Sequence, residues 1–273
     1  MKQVALVTGA SSGIGKETVK RLVQEGLIVY AVARRVERME DLKEMGAFTL
    51  KMDITDDEDV TNTVAAIIGK EGGIDILINN AGYAVFGAVE DSTLEDARKQ
   101  FEVNFFGLAN LTQKVLPYMR SRGKGTIINV SSVVGKLYSP LSGWYVATKY
   151  ALEGWSDCLR IELSPFNIKV IIIQPGIIKT EFIDIASPSL AAHAVKSDYA
   201  LMAKKMADSI NNSNSLNGKA SNPIIVSNII AKAIKAKRPQ TRYTIGYLAK
   251  PLLFVRWLLP DRFFDKLMLS QFK

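Results

Sequence analysis

The sequence contains one cysteine and one histidine among its 273 residues. A single cysteine, Cys158, cannot form an internal disulfide, and His193 alone cannot complete a cysteine and histidine metal cluster. No uncharged apolar run approaches the roughly 20 residues that a membrane-spanning helix needs. These absences exclude disulfide scaffolds, zinc modules and helical membrane proteins, so we expect no metal site. Cys158 is expected at a core or interface position, and His193 in a structural or incidental role.

The composition favours a folded domain. With 48% hydrophobic and 23% charged residues, the chain can bury a sizeable core, which excludes global disorder. The apolar stretch at the N-terminus reaches turn residues too soon for a secretory signal, so we expect a cytoplasmic protein.

The net charge of +8 lies at one end of the chain. Residues 1–223 contain 25 basic and 25 acidic side chains, whereas residues 224–273 contain 10 basic and 2 acidic ones. No motif for reading nucleic acid accompanies the basic end, so we expect no nucleic-acid partner. Salt-dependent retention on DNA would contradict that expectation.

Short apolar runs alternate with longer amphipathic stretches through most of the chain. The runs rich in valine and isoleucine predict buried strands at Val4–Thr8, Ile28–Ala33, Phe48–Met52, Ile76–Asn79, Thr126–Val130 and Val170–Gln174, with a final strand near Thr241–Ile245. Helical patterns lie between them at Gly13–Glu25, Asp56–Lys70, Leu94–Phe101, Leu108–Arg122 and Tyr145–Leu163. Because such alternation requires right-handed crossovers, we expect an α/β fold: a doubly wound parallel sheet of about seven strands with helices on both faces.

A glycine-rich turn, T-G-A-S-S-G-I-G, joins the first predicted strand to the first helix. Gly9, Gly13 and Gly15 permit a tight turn and a close approach of the backbone to a pyrophosphate at the helix N-terminus. Ordinary turns also use glycine, and the spacing differs from the common G-x-G-x-x-G pattern. Its position after the first strand nevertheless predicts a dinucleotide site. The other loop residues predicted to contact the cofactor are Ser11, Ser12 and Ile14.

Three further motifs follow in order: N-N-A-G at residues 79–82, Y-V-A-T-K at residues 145–149 and P-G at residues 175–176. Together with the glycine-rich turn, they resemble the short-chain dehydrogenase/reductase family, closely over residues 1–180 and loosely beyond. The resemblance implies a Rossmann-type fold, a nicotinamide cofactor and hydride transfer. It also implies cofactor contacts at Asp53, Asn80, Ala81, Gly82, Pro175, Gly176, Ile178 and Thr180.

The end of the second predicted strand bears on which nicotinamide cofactor binds. NAD enzymes of this topology place an acid here to hold the adenine ribose, and the sequence has Ala33 instead. Arg34 follows, and its guanidinium suits a 2′-phosphate, with help from Ser12. We therefore predict NADP(H). The alternative is a solvated turn with two arginines, and Asp53 has its own alternative as a helix N-cap or loop acid.

Tyr145 and Lys149 are four residues apart, so on a helix they share one face. Moving a tyrosine pKa from about 10 to about 7 requires roughly 4 kcal/mol of preferential phenolate stabilisation. We expect the Lys149 ammonium and the oxidised nicotinamide to supply this stabilisation together. Tyr145 is therefore the predicted catalytic acid and base, and both side chains are predicted to contact the cofactor.

The family resemblance adds two catalytic residues. Ser132 lies at a strand end, thirteen positions before Tyr145, and matches the serine that hydrogen-bonds the substrate oxygen. Asn104 matches an asparagine at a helix irregularity, which holds a water that connects Lys149 to solvent. The alternative for Ser132 is an ordinary turn hydroxyl.

With no linker in the sequence, we expect a single domain over 1–273. Residues 1–180 form its predicted cofactor-binding and catalytic core, residues 181–240 a helical lid over the substrate, and residues 247–273 a basic amphipathic segment. The asparagine-rich and serine-rich run Ser209–Asn222 predicts a mobile loop within the lid.

Four apolar side chains are predicted to line a substrate site: Val134, Leu137, Trp144 and Phe182. They favour a hydrophobic ketone or alcohol, although ordinary cores use the same residues. The R-Y-x-x-G stretch at residues 242–246 resembles the 17β-hydroxysteroid, retinol dehydrogenase and acyl-dihydroxyacetone-phosphate reductase branch, which implies steroid, retinoid or acyl-lipid carbonyls. The alternatives are a broad reductase of small carbonyls and an NADP-binding regulatory protein without turnover.

Residues 247–269 concentrate leucine, phenylalanine and tryptophan between basic residues. Two prolines and six charged interruptions argue against a spanning helix. The segment fits either a peripheral membrane contact on anionic lipid or a helix packed over the mouth of the site. The family resemblance further implies a homodimer or homotetramer formed through helices 108–122 and 145–163.

Overall fold

The computed structural model describes residues 2–182, 190, 197–215 and 220–271, so the prediction for His193 lies outside the described residues. The described residues form one parallel sheet of seven strands in the order β3-β2-β1-β4-β5-β6-β7. The strands are β1 Val4–Thr8, β2 Ile28–Ala33, β3 Phe48–Lys51, β4 Ile76–Asn79, β5 Gly125–Val130, β6 Ile168–Pro175 and β7 Arg242–Ile245. The predicted doubly wound fold is confirmed, and its strand ends lie within two residues of those expected.

Helices cover both faces of this sheet. They are α1 Gly13–Gln24, α2 Glu40–Glu44, α3 Asp57–Glu71, α4 Leu94–Phe101, α5 Gly107–Ser121, α6 Gly143–Leu163, α7 Ala200–Ser215, α8 Ile224–Lys235, α9 Ala249–Leu258 and α10 Asp261–Ser270. One buried cluster joins α1 to α8, with Leu22 and Ile230 fully enclosed. A second joins α3, α5 and α6 to the opposite face through residues such as Val64 and Leu111. The central strands are therefore buried on both sides, as parallel sheets require. The burial expected for Phe48–Met52 is wrong in part, because β3 is an edge strand with Phe48 and Lys51 exposed.

The strand order places the functional crevice. β1 pairs with β2 on one side and with β4 on the other. Strands β2 and β3 are therefore added on one side of β1, and the later strands on the other side. In open α/β sheets a crevice forms outside the carboxyl ends of the strands at such a switch point. Here the loops after β1 and β4 begin at Gly9 and Asn80.

Two expectations for the region after residue 180 are wrong in part. The run that begins at Ser209 continues helix α7 as far as Ser215, because asparagine and serine reduce helix stability by only a few tenths of a kcal/mol each (roughly 0.5) relative to alanine. Helix α8 lies in the predicted lid range, yet it packs on α1 beneath the sheet. Its apolar residues Val226, Ile230 and Ala233 recur at helical spacing and are buried there.

Two other expectations concern Cys158 and membrane spans. Cys158 is exposed on α6, so the expected core position is wrong. Among the described helices, none combines the length and the apolar character needed to cross a bilayer.

Candidate active site

The turn after β1 has the backbone of an anion site. Gly9 and Gly13 adopt φ values of 65° and 54°, a left-handed conformation in which other residues are strained. Helix α1 begins at Gly13, and the extended residue before it, Ser12, provides no side-chain cap. The first N–H groups of α1 are therefore available to a ligand, and the helix dipole favours a negative charge there.

Close packing fixes this turn against the loop after β4. The Thr8 hydroxyl accepts hydrogen bonds from the backbone N–H groups of Asn80 and Ala81, each at 3.0 Å. A Cβ on Gly9 would lie 2.9 Å from the Ala81 Cα, and one on Gly15 would lie 2.3 Å from the Gly9 carbonyl oxygen. The glycines therefore serve the approach of two backbone segments, which together form the floor of the crevice.

We expect Gly15→Ala to lower the free energy of unfolding by about 1–3 kcal/mol, because the new methyl group meets a backbone oxygen that cannot turn away. Gly69→Ala is the matched control. Gly69 lies on the exposed side of α3 with no atom within 4 Å of the added Cβ, so stability should rise by about 0.5–1 kcal/mol. Urea titration measures both, and equal values for the two variants would contradict the packing role of Gly15.

A cavity of about 1120 Å³ runs along the carboxyl edge of the sheet. It begins at the glycine-rich turn, passes Asn80–Gly82 and reaches Tyr145 and Lys149. Such a volume suits a ligand larger than most drugs, since typical pockets measure roughly 300–1,000 Å³. A dinucleotide together with a substrate therefore fits the available space and the uncapped helix.

The end of β2 forms one margin of the cavity. Ala33, Arg34 and Arg35 line it, and the Arg34 side chain is 71% exposed, with Nη1 4.0 Å from Asp53 Oδ2. Asp53 also lines the cavity, while its Oδ1 accepts hydrogen bonds from Thr55 N at 3.0 Å and Thr55 Oγ1 at 2.8 Å. Asp53 therefore forms a loop contact through Oδ1, as the alternative prediction expects. Its other oxygen, Oδ2, faces Arg34.

Ser132 and Tyr145 meet at the inner part of the cavity. Ser132 follows β5, and its hydroxyl oxygen lies 3.4 Å from the Pro175 carbonyl oxygen and within hydrogen-bonding reach of the Tyr145 hydroxyl. The Tyr145 ring, in the first turn of α6, lies edge-on to Phe86 with centroids 6.3 Å apart and tilts against Phe182 at 5.4 Å. A phenol hydroxyl and a serine hydroxyl are thus presented together beside aromatic walls.

Burial dominates the titration of both catalytic candidates. It raises the pKa of Tyr145 well above the usual range, and the Ser132 hydrogen bond opposes this rise. Burial lowers the pKa of Lys149 to about 8, with the Glu153 carboxylate opposing that change. Lys149 Nζ donates to the Val130 carbonyl at 2.9 Å and lies 5.9 Å from the Tyr145 ring centroid.

The lowered pKa of Lys149 predicts a pH-dependent stability difference. An unfolded lysine has a pKa of about 10.4, so between about pH 8 and pH 10.4 the unfolded chain binds more protons and stability rises with pH. Below pH 8 both states are protonated and the full cost of burying the charge is present. The unfolding free energy of wild type relative to Lys149→Met should therefore rise by up to about 3 kcal/mol across this window. A difference that does not vary with pH would contradict the burial effect.

Asn104 lies in a π-helical turn, Glu102–Phe106, between α4 and α5. Its amide accepts from the Tyr83 N–H at 3.0 Å, donates to the Tyr83 carbonyl at 2.8 Å and donates to Thr148 Oγ1 at 3.2 Å. A Cβ on Gly82 would lie 3.1 Å from Asn104 Oδ1 and 3.9 Å from Lys149 Nζ. Asn104 therefore ties the loop after β4 to α6 just behind the cavity wall.

The structure brings most of the predicted residues to one cavity. Its wall includes Gly9, Ser11, Ser12, Gly13, Ile14, Arg34, Asp53, Asn80, Ala81, Gly82, Ser132, Val134, Tyr145, Lys149, Pro175, Gly176, Ile178, Thr180 and Phe182. Gly15 and Asn104 support this wall from behind. No metal-binding cluster of histidine, cysteine or acidic residues occurs in the described part of the chain.

Two predicted substrate residues lie elsewhere. Leu137 is buried with Val133 and Phe264 under the C-terminal helices, and the Trp144 side chain is outside the cavity wall, with its indole N–H buried and unpartnered among the described residues. Both residues follow Ser132 closely in the sequence, which suggested a place in the cavity wall. After Val134, however, Leu137 packs against the C-terminal helices. Sequence reasoning also missed Phe86, whose one signal was the apolar stretch A-V-F-G-A-V after N-N-A-G.

Comparison with known proteins gives a consistent answer. The family model for short chain dehydrogenase matches residues 3–189. The probable short-chain type dehydrogenase/reductase VdlC of Helicobacter pylori is 36% identical over 97% of this chain and 96% of its own. The 3-ketodihydrosphingosine reductase of Bacteroides thetaiotaomicron is 43% identical over 67% of this chain and 66% of its own. The NADPH-dependent 3-dehydrocapnine reductase of Ornithobacterium rhinotracheale is 33% identical over 98% of this chain and 97% of its own.

The solved structures agree with the sequence relatives. The crystal structure of a short-chain dehydrogenase from Streptomyces avermitilis has a TM-score of 0.81 and 31% identity, covering 99% of this chain and 96% of that one. Similarity of this extent includes the glycine-rich turn, the sheet and the elements that carry the site. The chain therefore belongs to the short-chain dehydrogenase/reductase family and is an oxidoreductase that acts on CH–OH groups.

Proposed function

We propose that the protein is an NADP(H)-dependent oxidoreductase that interconverts a ketone and a secondary alcohol on a hydrophobic substrate. One observation carries the proposal: the Tyr145 hydroxyl, paired with Ser132, lies where the cavity from the glycine-rich turn meets the aromatic walls formed by Phe86 and Phe182. A cofactor and an apolar substrate reach the same hydroxyl from two sides.

Residues along the cavity fit the parts of the cofactor. The uncapped N-terminus of α1 and the backbone of Gly9 and Gly13 suit the pyrophosphate. Ala33 leaves room at the end of β2, and the exposed guanidinium of Arg34 suits a 2′-phosphate. The 3-dehydrocapnine reductase among the relatives is NADPH-dependent, which supports this preference. Lys149 is proposed to bind the nicotinamide ribose.

Ile178 and Thr180, in the loop after β6, are proposed to hold the nicotinamide carboxamide. Thr180 lies directly across from the turn, since a Cβ on Gly13 would be 3.0 Å from its Cγ2. The loop is anchored by a backbone hydrogen bond from Lys179 to Ser221 at 2.9 Å. These contacts place the loop between the two ends of the cavity.

The chain's residues then divide the proton chemistry. Bound nicotinamide supplies the hydride in reduction and accepts it in oxidation. Ser132 orients the substrate oxygen, and Tyr145 donates its proton to that oxygen in reduction and removes it in oxidation. Lys149 and a water held near Asn104 are proposed to restore the tyrosine proton. Since burial raises the pKa of Tyr145, the positive charge that favours the phenolate has to come from Lys149 and the oxidised cofactor together.

The substrate end of the cavity is apolar. Phe86 and Phe182 flank Tyr145, Val134 lines the wall, and Leu190 and Ala203 pack behind them in the same cluster. Steroid, retinoid and acyl-lipid carbonyls all suit such walls. Two relatives, a 3-ketodihydrosphingosine reductase and a 3-dehydrocapnine reductase, favour the acyl-lipid class.

A homodimer or homotetramer through α5 and α6 is also proposed. These helices expose Tyr118 and Ile161, at 40% and 70%, with Phe106 next to the start of α5 at 51%. Exposed apolar side chains of this size on neighbouring helices suit a subunit contact.

A substrate panel tests the proposed function. Consumption of NADPH is followed by absorbance with acyl-lipid ketones, steroids, retinal and small carbonyls, each repeated with NADH. We expect the highest kcat/KM with NADPH and a long-chain ketone. Higher kcat/KM with small carbonyls would indicate a broad carbonyl reductase, and tight NADPH binding without turnover on any substrate would indicate a regulatory protein.

A further inference from the structure

The C-terminal helices are an integral part of the domain. Phe264 and Met268 of α10 are buried against Val133 and Leu137, in the segment that follows Ser132. The Tyr138 hydroxyl donates to Asp265 Oδ1 at 2.9 Å. Helices α9 and α10 therefore pack directly on the segment that leads from the catalytic serine.

The same region touches the cavity wall at a second point. Ile177, which lines the cavity, forms a β-bridge with Tyr247, and a Cβ on Gly176 would lie 2.4 Å from the Tyr247 carbonyl oxygen. Val134 lines the cavity and packs with Leu252 of α9. The inner sides of these helices consequently pack on residues that also line the cavity.

That surface is strongly apolar. We call it the outer face; its residues are Phe254, Trp257 and Leu258 on α9 and Phe263, Leu267 and Leu269 on α10, exposed by 59%, 79%, 58%, 61%, 38% and 43%. The residues on α9 recur at i, i+3 and i+4, opposite the buried Ala249 side. Both helices bury their inner sides in one cluster, and these outer residues are the ones left exposed on the same helix pair. A helix that is apolar on all sides is normally buried on all sides. An apolar side that stays exposed, as here, marks a surface for interaction with another molecule.

Positive charge surrounds the outer face. Lys250, Arg262 and Lys266 are exposed, and no ion pair holds any of them within the described residues. The two acids of the segment, both exposed, have partners of their own: Asp261 pairs with Arg256 at 2.7 Å, and Asp265 accepts from Tyr138. The net result is a set of free cations beside exposed aromatic rings.

We propose that the outer face docks on an anionic lipid surface, with the aromatic side chains in the headgroup region and the free cations on lipid phosphates. Aromatic and basic side chains combine in this way in interfacial helices. A second copy of this face is disfavoured because it would bring three like charges against three. Docking here would bring the C-terminal helices, and the part of the cavity wall on which they pack, toward the bilayer in which an acyl-lipid substrate resides. The proposal concerns binding alone and does not depend on turnover.

Vesicle co-sedimentation of the full chain tests the proposal. Vesicles of phosphatidylcholine alone are compared with vesicles that also contain phosphatidylserine. One variant carries Phe254→Ser, Trp257→Ser and Phe263→Ser, and a second carries Lys250→Gln, Arg262→Gln and Lys266→Gln. The matched control carries Val89→Ser, Leu94→Ser and Leu201→Ser, at positions exposed by 63%, 59% and 66% outside the segment. Circular dichroism and thermal unfolding check that each variant folds.

We expect binding to the anionic vesicles, quenching of tryptophan fluorescence by brominated lipid, and partitioning weakened about tenfold or more in both test variants but not in the control. Salt should weaken binding of the wild type. Three results would overturn the proposal: no binding by the wild type, equal binding by the test variants, or self-association that the apolar variant abolishes. NADPH turnover of a dispersed ketone, measured without vesicles, reports separately on the proposed function.

Discussion

Replacing Tyr145 with phenylalanine is expected to lower kcat by about 10²–10⁴-fold, the usual contribution of a positioned general acid or base. The substitution removes one oxygen and keeps the ring that packs between Phe86 and Phe182. Because the remaining cavity wall is intact and at most one hydrogen bond to the cofactor is lost, the Kd for NADPH should rise by no more than about tenfold.

Tyr150→Phe provides the control for this experiment. Tyr150 lies on the same helix, immediately after Lys149, and is 42% exposed, away from the cavity wall. Its loss should leave kcat and the cofactor Kd unchanged. Near-normal turnover by Tyr145→Phe would mean that the proton comes from another group, and Ser132 would then be the first to examine.

Replacing Arg34 with alanine is expected to reverse much of the cofactor preference. A charge-assisted hydrogen bond contributes about 1.5–3 kcal/mol, so kcat/KM with NADPH should fall by about 10- to 150-fold. The value with NADH should change little, since NADH has no 2′-phosphate for the guanidinium to contact. Because Arg34 is exposed, its replacement leaves the core intact, and thermal unfolding checks this directly.

The matched control is Arg98→Ala, an exposed arginine on α4 outside the cavity wall. Both kcat/KM values should be unaffected there. If Arg34→Ala lowers the values for NADPH and NADH equally, the arginine supports the turn and does not select the cofactor.

Sequence patterns predicted the sheet and the glycine-rich turn because local chemistry dictates them. Short runs rich in valine and isoleucine and bounded by turn residues favour a buried strand over a helix, and the positive φ values at positions 9 and 13 require glycine. The spacing of Tyr145 and Lys149 likewise fixes their common helix face. These inferences needed no knowledge of how distant segments pack.

The parts that sequence reasoning missed depend on that packing. Leu137 and Trp144 follow Ser132 in the chain, yet Leu137 contacts Phe264, more than a hundred residues later. Helix α8 has a pattern that suits a lid and the sheet equally, and only its contact with α1 distinguishes them. The pKa of Tyr145 depends on the extent of its burial, which the sequence does not state.

The central claim is that one cavity holds the cofactor with its reactive ring at Tyr145. A crystal structure of the protein soaked with NADP⁺ tests it most directly. We expect the pyrophosphate at the N-terminus of α1, the 2′-phosphate beside Arg34 and the nicotinamide in contact with Tyr145 and Lys149. A dinucleotide bound outside this cavity, or one whose nicotinamide lies out of contact with Tyr145, would contradict the claim.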